Sequence, residues 1–253
     1  MVKKQDIIFS LILRLKMILN FFLSLRTTIW LLLALVFLLF YGAFIMPKHP
    51  EFSSINSIPL FDWLSENPAG TTWWLYGIII LLSVLTANTI ICSFESLFKK
   101  QERKNRLLVI SPQVIHIGFL FILLAHFLSS LGSFKGSAVG YEGTFIRLPN
   151  NLVVGIKEIN LNINPSGYIS DWSVNIEYLS NDGRKIKEAS LKPNAPSFYH
   201  GLGIYLKDVR SYPFKAALLE VSREPGALWA LIGGVLFMFG TITLLVLKIK
   251  RET

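Results

Sequence analysis

The sequence predicts an α + β membrane protein, with four transmembrane helices and a β-sandwich-like extracytoplasmic domain between helices 3 and 4. Three observations predict it. The apolar residues are blocked into four long charge-free runs. Only 16% of the 253 residues are charged, where a soluble domain has about 25%. Between the third and fourth runs the hydrophobicity changes period, from block to alternation. These same features exclude a disordered chain, which lacks the 52% hydrophobic content seen here. They also exclude a nucleic-acid binder, whose basic residues would sit on a polar surface.

A bilayer core of roughly 30 Å takes about 20 apolar helical residues. Thr27–Pro47, Asn67–Phe94 (apolar from about Trp73), Leu107–Phe134 and Pro225–Leu247 each meet that length without a charge. Backbone groups in lipid must be satisfied internally, so all four are expected as helices, at about 27–47, 71–94, 107–134 and 225–247. The first is expected to remain as an anchor, because 26 residues precede it and no A-x-A site follows. Within those 26, Ser10, Arg14, Lys16, Asn20 and Ser24 fall on one arc at about 100° per residue, with Ile7, Ile8, Leu11, Phe21 and Phe22 among the residues opposite. That pattern suits an interfacial helix lying on the membrane; a long first helix emerging from the bilayer is the alternative.

Lys and Arg near span ends set orientation. They gather in residues 1–26, in the basic loop 95–106 and in the tail 248–253, which are therefore expected in the cytoplasm. The loop 48–70 and the segment 135–224 then lie outside. On that assignment the whole formal charge of +9 is cytoplasmic and the external segments sum to zero. A lipid bilayer is thus an expected partner and nucleic acid is not.

The external segment alternates at Ile159-Asn-Leu-Asn-Ile163 and at Trp172, Val174, Ile176 and Tyr178, the mark of half-buried strands. Asn181-Asp182-Gly183 supplies a hairpin turn into 184–191. Further strands are expected near 138–147, 201–209 and 215–222, about six in all, as a sandwich or open barrel. The segment holds one histidine, His200, and no cysteine, so it has neither a disulfide framework nor a zinc cluster. No nucleophile, base and orienter can be assembled from it, and no catalytic residue is assigned. Strand edges could take up an extended peptide, or the domain could be a spacer packed on a partner.

Ionisable residues inside a span are functional candidates, because each needs a partner. His116 and His126 both qualify in the third span. Ten residues separate them, about 80° around the helix and about 15 Å along it, so they cannot ligate one metal together. A neutral imidazole is a good axial ligand for haem iron, and a bis-histidine site would then draw its second ligand from another subunit. A histidine hydrogen-bonded across a helix interface is the structural alternative. Cys92 reads as a small hydrophobe, Trp73-Trp74 as an aromatic belt and Asn88 as helix-to-helix glue. His49 and His200 are external, where either could contact a ligand at the membrane surface.

Taken together, the order of three helices, external β domain and fourth helix resembles the ResB/Ccs1 family of System II cytochrome c biogenesis. The local wording is similar too: Phe22-Leu-Ser-Leu-Arg26, Gly42-x-x-x-Met-Pro47, Ile115-His-Ile-Gly-Phe119, Pro193-Asn-Ala-Pro196 with Gly201 and Tyr205, and Glu224-Pro-Gly226. The resemblance implies a non-catalytic subunit of a cytochrome c synthase. It would work with a Trp-rich ResC/CcsA-type membrane partner to move haem across the membrane for attachment to apocytochrome c. Of the candidates, only His116 matches the family's haem-ligating position in the third span. His126 has no family counterpart, and the external domain is short for the family. The implied setting is a bacterial cytoplasmic membrane or a thylakoid membrane. The rival class is a non-haem adaptor whose external sheet recruits an extracytoplasmic protein.

Overall fold

The computed structural model describes residues 13–99 apart from 15 and 18, then 106–148 and 152–252. Residues 1–12 of the expected interfacial helix and 100–105 of the basic loop lie outside the described residues. The chain divides into a helical unit and a β unit spanning Gly132–Pro225 with Asn56–Pro59.

The helical unit contains α1 (Leu25–Ile45), α2 (Leu60–Glu66), α3 (Ala69–Lys99), α4 (Arg106–Gly132) and α5 (Ala227–Glu252). Four of these, α1, α3, α4 and α5, are long and apolar enough to cross a membrane. Helix also covers the described residues between 13 and 22, then turns at Leu23 and becomes extended at Ser24 (ψ 118°). The lead-in and α1 are therefore two helices rather than one. Asn88 of α3 bridges the break: its amide Nδ2 donates to the Phe22 carbonyl, while Thr28 Oγ1 donates to its Oδ1 at 3.0 Å. The Cys92 thiol donates to the same carbonyl at 3.2 Å. A break between two helices frees backbone acceptors, and these two side chains from α3 satisfy one of them.

The connection from α1 to α3 is more ordered than a loop. Two 3₁₀ turns, Met46–Lys48 and Pro50–Ser54, lead to α2 and bury Phe52, Trp63 and Leu64. Phe52 packs on Trp63 at 5.2 Å and on Trp74 at 5.9 Å between ring centroids. Trp74 is only 3% exposed and fills the space over Gly42, where a Cβ would stand 2.3 Å from its ring. The aromatic-belt reading thus fails for Trp74, a core residue. Trp73 beside it is half-exposed and packs on Tyr41 at 5.2 Å between ring centroids, with the planes tilted by 49°.

The β unit is two four-stranded antiparallel sheets, ordered β1-β8-β7-β6 and β2-β3-β4-β5. The strands are β1 (Phe134–Tyr141), β2 (Phe145–Arg147), β3 (Val153–Ile163), β4 (Ile169–Leu179), β5 (Lys185–Leu191), β6 (Ser197–Tyr199), β7 (Leu202–Arg210) and β8 (Ala216–Arg223). One core joins the two sheets, with Ile156, Ile159, Val174 and Ile176 from one and Ile204, Ala217 and Leu219 from the other. Tyr178 on β4 donates its hydroxyl to Ser197 on β6 at 2.9 Å, a buried bond from sheet to sheet. Burial pushes the Tyr178 phenol above its ordinary pKa.

Eight strands form where about six are expected, for two local reasons. Gly143, with φ +82°, turns the chain after Tyr141 and sends 145–147 to the other sheet. Asn194, with φ +60°, closes a turn from Lys192 to Ala195 that leads into the short β6. The Asn181-Asp182-Gly183 hairpin forms as expected, with Gly183 at φ +80°.

Candidate functional site

His116 lies on α4, ten residues past the helix start and half-buried. Its Nδ1 is 2.9 Å from the Ser93 hydroxyl of α3. Ser93 Oγ in turn donates to the Thr89 carbonyl one turn earlier at 2.7 Å. The histidine is therefore held by a side chain of the second long span, which is itself tied to its own helix backbone. Thr89 and Asn88 are buried, so the polar residues of α3 from 88 to 93 face protein, the placement that polar groups in a span require.

The opposite side of α4 is close-packed. Gly118, about 200° from His116 around the helix, meets α5 so closely that a Cβ there would stand 2.5 Å from the Phe237 amide nitrogen and 2.7 Å from the Gly233 carbonyl. Gly233 meets Gly118 and Ile122 in the same way, Gly240 meets Ile115 and Ser111, and Gly226 meets Ala125 and Ser129. These three glycines, Gly226 just before α5 and Gly233 and Gly240 within it, are spaced seven apart, and their α4 partners alternate by three and four. That is the heptad seam of two helices crossing at a shallow angle, brought within backbone contact by glycine. Phe121 and Trp229 stack beside it at 5.5 Å with their planes 8° apart. In the segment Ile115-His-Ile-Gly-Phe119, then, the histidine addresses α3 and the glycine addresses α5.

Two other buried polar groups lie nearby on α4. Ser111 donates to the Leu107 carbonyl at 2.7 Å. Gln113, 6% exposed and one turn before His116, leaves its Oε1 without a hydrogen-bond partner among the described residues.

The remaining histidines stand apart. His126 is exposed on α4, ten residues beyond His116. His200 occupies the turn between β6 and β7 with φ +47°, followed by Gly201 at +77°, the two left-handed residues of a tight hairpin. Its ring abuts Tyr199 at 4.4 Å. His49 pairs with Glu51 at 3.2 Å. Among the described residues no three His, Cys, Asp or Glu side chains converge as a metal cluster. Sequence reasoning singled out His116 but missed Ser93 and Thr89. Their spacing of four in an otherwise apolar helix is the signal that could have found them.

No family model matches the sequence. Among curated proteins, the chain is similar to one named cytochrome c biogenesis protein Ccs1 from Pyropia yezoensis, with 24% identity over 39% of this chain and 25% of that protein. Proteins of the same name from Heterosigma akashiwo and Gracilaria tenuistipitata var. liui are 22% and 21% identical, over 39% and 46% of this chain and 26% and 30% of theirs. The chain thus spans about a quarter of the length of the first of these relatives. Among solved structures it overlaps one titled Cytochrome c Heme Lyase CcmF, with a TM-score of 0.44 and 14% identity, over 88% of this chain and 35% of that one. The curated relatives bear out the resemblance to the ResB/Ccs1 family.

Proposed function

We propose that this chain is a membrane subunit of cytochrome c biogenesis that holds haem through His116 and passes it outward, with a Trp-rich ResC/CcsA-type partner, for attachment to apocytochrome c. The observation that carries the reading is the placement of His116 in a chain whose curated relatives are named for this process. It is an intramembrane imidazole with one nitrogen engaged by Ser93 and the other left for a ligand. The haem is cargo, and its reduced iron and vinyl groups supply the chemistry of thioether formation. The chain's own residues place it. His116 contributes one axial ligand, and a histidine of the partner contributes the other. The seam between α4 and α5 fixes the backbone that carries His116, and the external sandwich positions apocytochrome or a loop of the partner. The orientation that fits this role has both termini in the cytoplasm.

Co-purification of the chain with its partner tests the assignment. The His116→Ala complex is expected to retain at most a small fraction of the haem and to lose the low-spin spectrum. Undiminished haem with an unchanged spectrum would end the reading.

A further inference from the structure

We infer that Ser93 is a positioning residue for His116: its hydroxyl accepts the Nδ1 proton, fixes the imidazole as the Nδ1–H tautomer and leaves Nε2 as the electron-pair donor. The inference rests on the proposed haem-holding role of His116 and deepens it by giving Ser93 a defined task there.

The argument is one of hydrogen counting. A serine hydroxyl has one hydrogen and two lone pairs. Ser93 Oγ lies 2.7 Å from the Thr89 carbonyl oxygen, which can only accept, so the single hydrogen is placed there. Toward His116 Nδ1, 2.9 Å away, Oγ then presents only a lone pair. A contact at that distance needs a hydrogen between the two atoms, and it must belong to Nδ1. A neutral imidazole with hydrogen on Nδ1 has none on Nε2. The reverse arrangement, with Ser93 donating to Nδ1, would strip the Thr89 carbonyl of this bond and put the hydrogen on Nε2. There it would block iron and, in an apolar span, would itself need a partner.

The consequence is preorganisation. Histidines that ligate metals commonly donate their second N–H to a protein acceptor, which fixes the tautomer and ring orientation, and losing that acceptor typically lowers metal affinity 10- to 100-fold. Ser93 supplies the acceptor from a different helix. The ring is thereby oriented before any haem arrives, and its orientation depends on the pairing of α3 with α4. Ser93→Thr keeps an acceptor oxygen at this position, whereas Ser93→Ala removes it.

Two measurements test the inference separately from the haem assignment. The first uses the full-length haem-free chain in lipid nanodiscs with 15N-labelled histidine at pH 8, the His116 signals being identified by their loss in His116→Ala. The expected spectrum shows a protonated Nδ1 and an unprotonated Nε2 in wild type and Ser93→Thr, and a mixture of tautomers in Ser93→Ala. A protonated Nε2 in wild type, or an unchanged spectrum in Ser93→Ala, would overturn the inference. The second is haem titration of the chain with its partner, in which Ser93→Ala is expected to weaken binding about 10- to 100-fold and to shift the haem reduction potential, with Ser93→Thr restoring both. Wild-type binding and potential in Ser93→Ala, alongside haem loss in His116→Ala, would refute the role of Ser93 and leave the haem assignment standing. Full haem retention in His116→Ala would instead refute the haem assignment, and with it the purpose inferred for Ser93.

Discussion

Gly233 has no side chain to contribute, yet its substitution has a sharply defined consequence. A Cβ there would stand 2.7 Å from the Gly118 carbonyl and 2.8 Å from the Ile122 amide nitrogen, and backbone of a neighbouring helix cannot swing aside as a side chain can. Gly233→Leu is expected to destabilise the packing of α4 and α5 by about 1–3 kcal/mol, the usual range for overpacking. Denaturation of the chain by SDS in bicelles would measure it. Gly234, with nothing within 4 Å of its added Cβ, is the control, and Gly234→Ala should leave the midpoint unchanged. In the β unit the most perturbed surface group is Glu188. It accepts hydrogen bonds from Lys157 at 2.6 Å and Lys185 at 2.5 Å, which hold its carboxyl down at about 2. Because the folded value is depressed, whatever these bonds add to stability is present above the ordinary carboxylate pKa of about 4.3. It is lost as the pH falls toward 2. An NMR titration of Glu188 should therefore show a midpoint near 2, and Lys157→Ala should move it upward.

Two bulges explain why the strands are only partly visible as patterns. In β3 the register shifts between Ile156 and Glu158, and in β7 between Leu206 and Asp208, so that Lys157 and Lys207 are the extra residues. Before each bulge the even positions are buried (Val154 and Ile156; Leu202, Ile204 and Leu206), and after it the odd ones are (Ile159; Val209). The alternation at 159–163 was legible because it lies wholly beyond the first bulge. The residues before it were not, since a strict period of two breaks at an inserted residue. The same geometry makes a prediction. Deleting Lys157 would turn either Val154 and Ile156 or Ile159 and Leu161 out of the core, because a one-residue slip exchanges the faces. The deletion should leave the β unit open to limited proteolysis, while Lys157→Ala, which keeps the bulge, should leave it resistant. The short β2 and β6, three residues each, are too brief for any periodicity and exist only as partners of β3 and β7.

At the scale of the chain, the four spans were legible because lipid imposes a one-dimensional rule of about 20 apolar residues per crossing. The structure places the long helices at those four runs. What one dimension does not carry is which helix faces which. His116 stood out as costly in a span, but its partner on α3 is 23 residues away in sequence and reaches it only through folding. The glycines of the seam find their partners on α4 in the same way, across more than ninety residues of sequence. Trp74 was misread because its position near a span end suits a belt, whereas Phe52 of the intervening segment, itself backed by Trp63, packs on it. Orientation is the expectation that most needs its own measurement. In a Cys92→Ala background, Gln101→Cys should resist a membrane-impermeant thiol reagent added outside, and Asp182→Cys should react. The opposite pattern would invert the topology.

The seam between α4 and α5 also has a history within each round of synthesis. Its two halves are separated by the entire β unit, so the ribosome delivers Gly118 more than a hundred residues before Gly233. At about 5–20 residues per second, the first half waits on the order of 6–20 seconds for the second. During that interval α3 is already available to α4, and the hydrogen bond from His116 to Ser93 has its parts in place, while the face of α4 that meets α5 has nothing to close on. Assembly of the helical unit is in this way timed to follow synthesis of the sandwich. A nascent chain arrested before α5 should therefore be short-lived in the membrane, to be seen as rapid clearance in a pulse-chase against the full-length product.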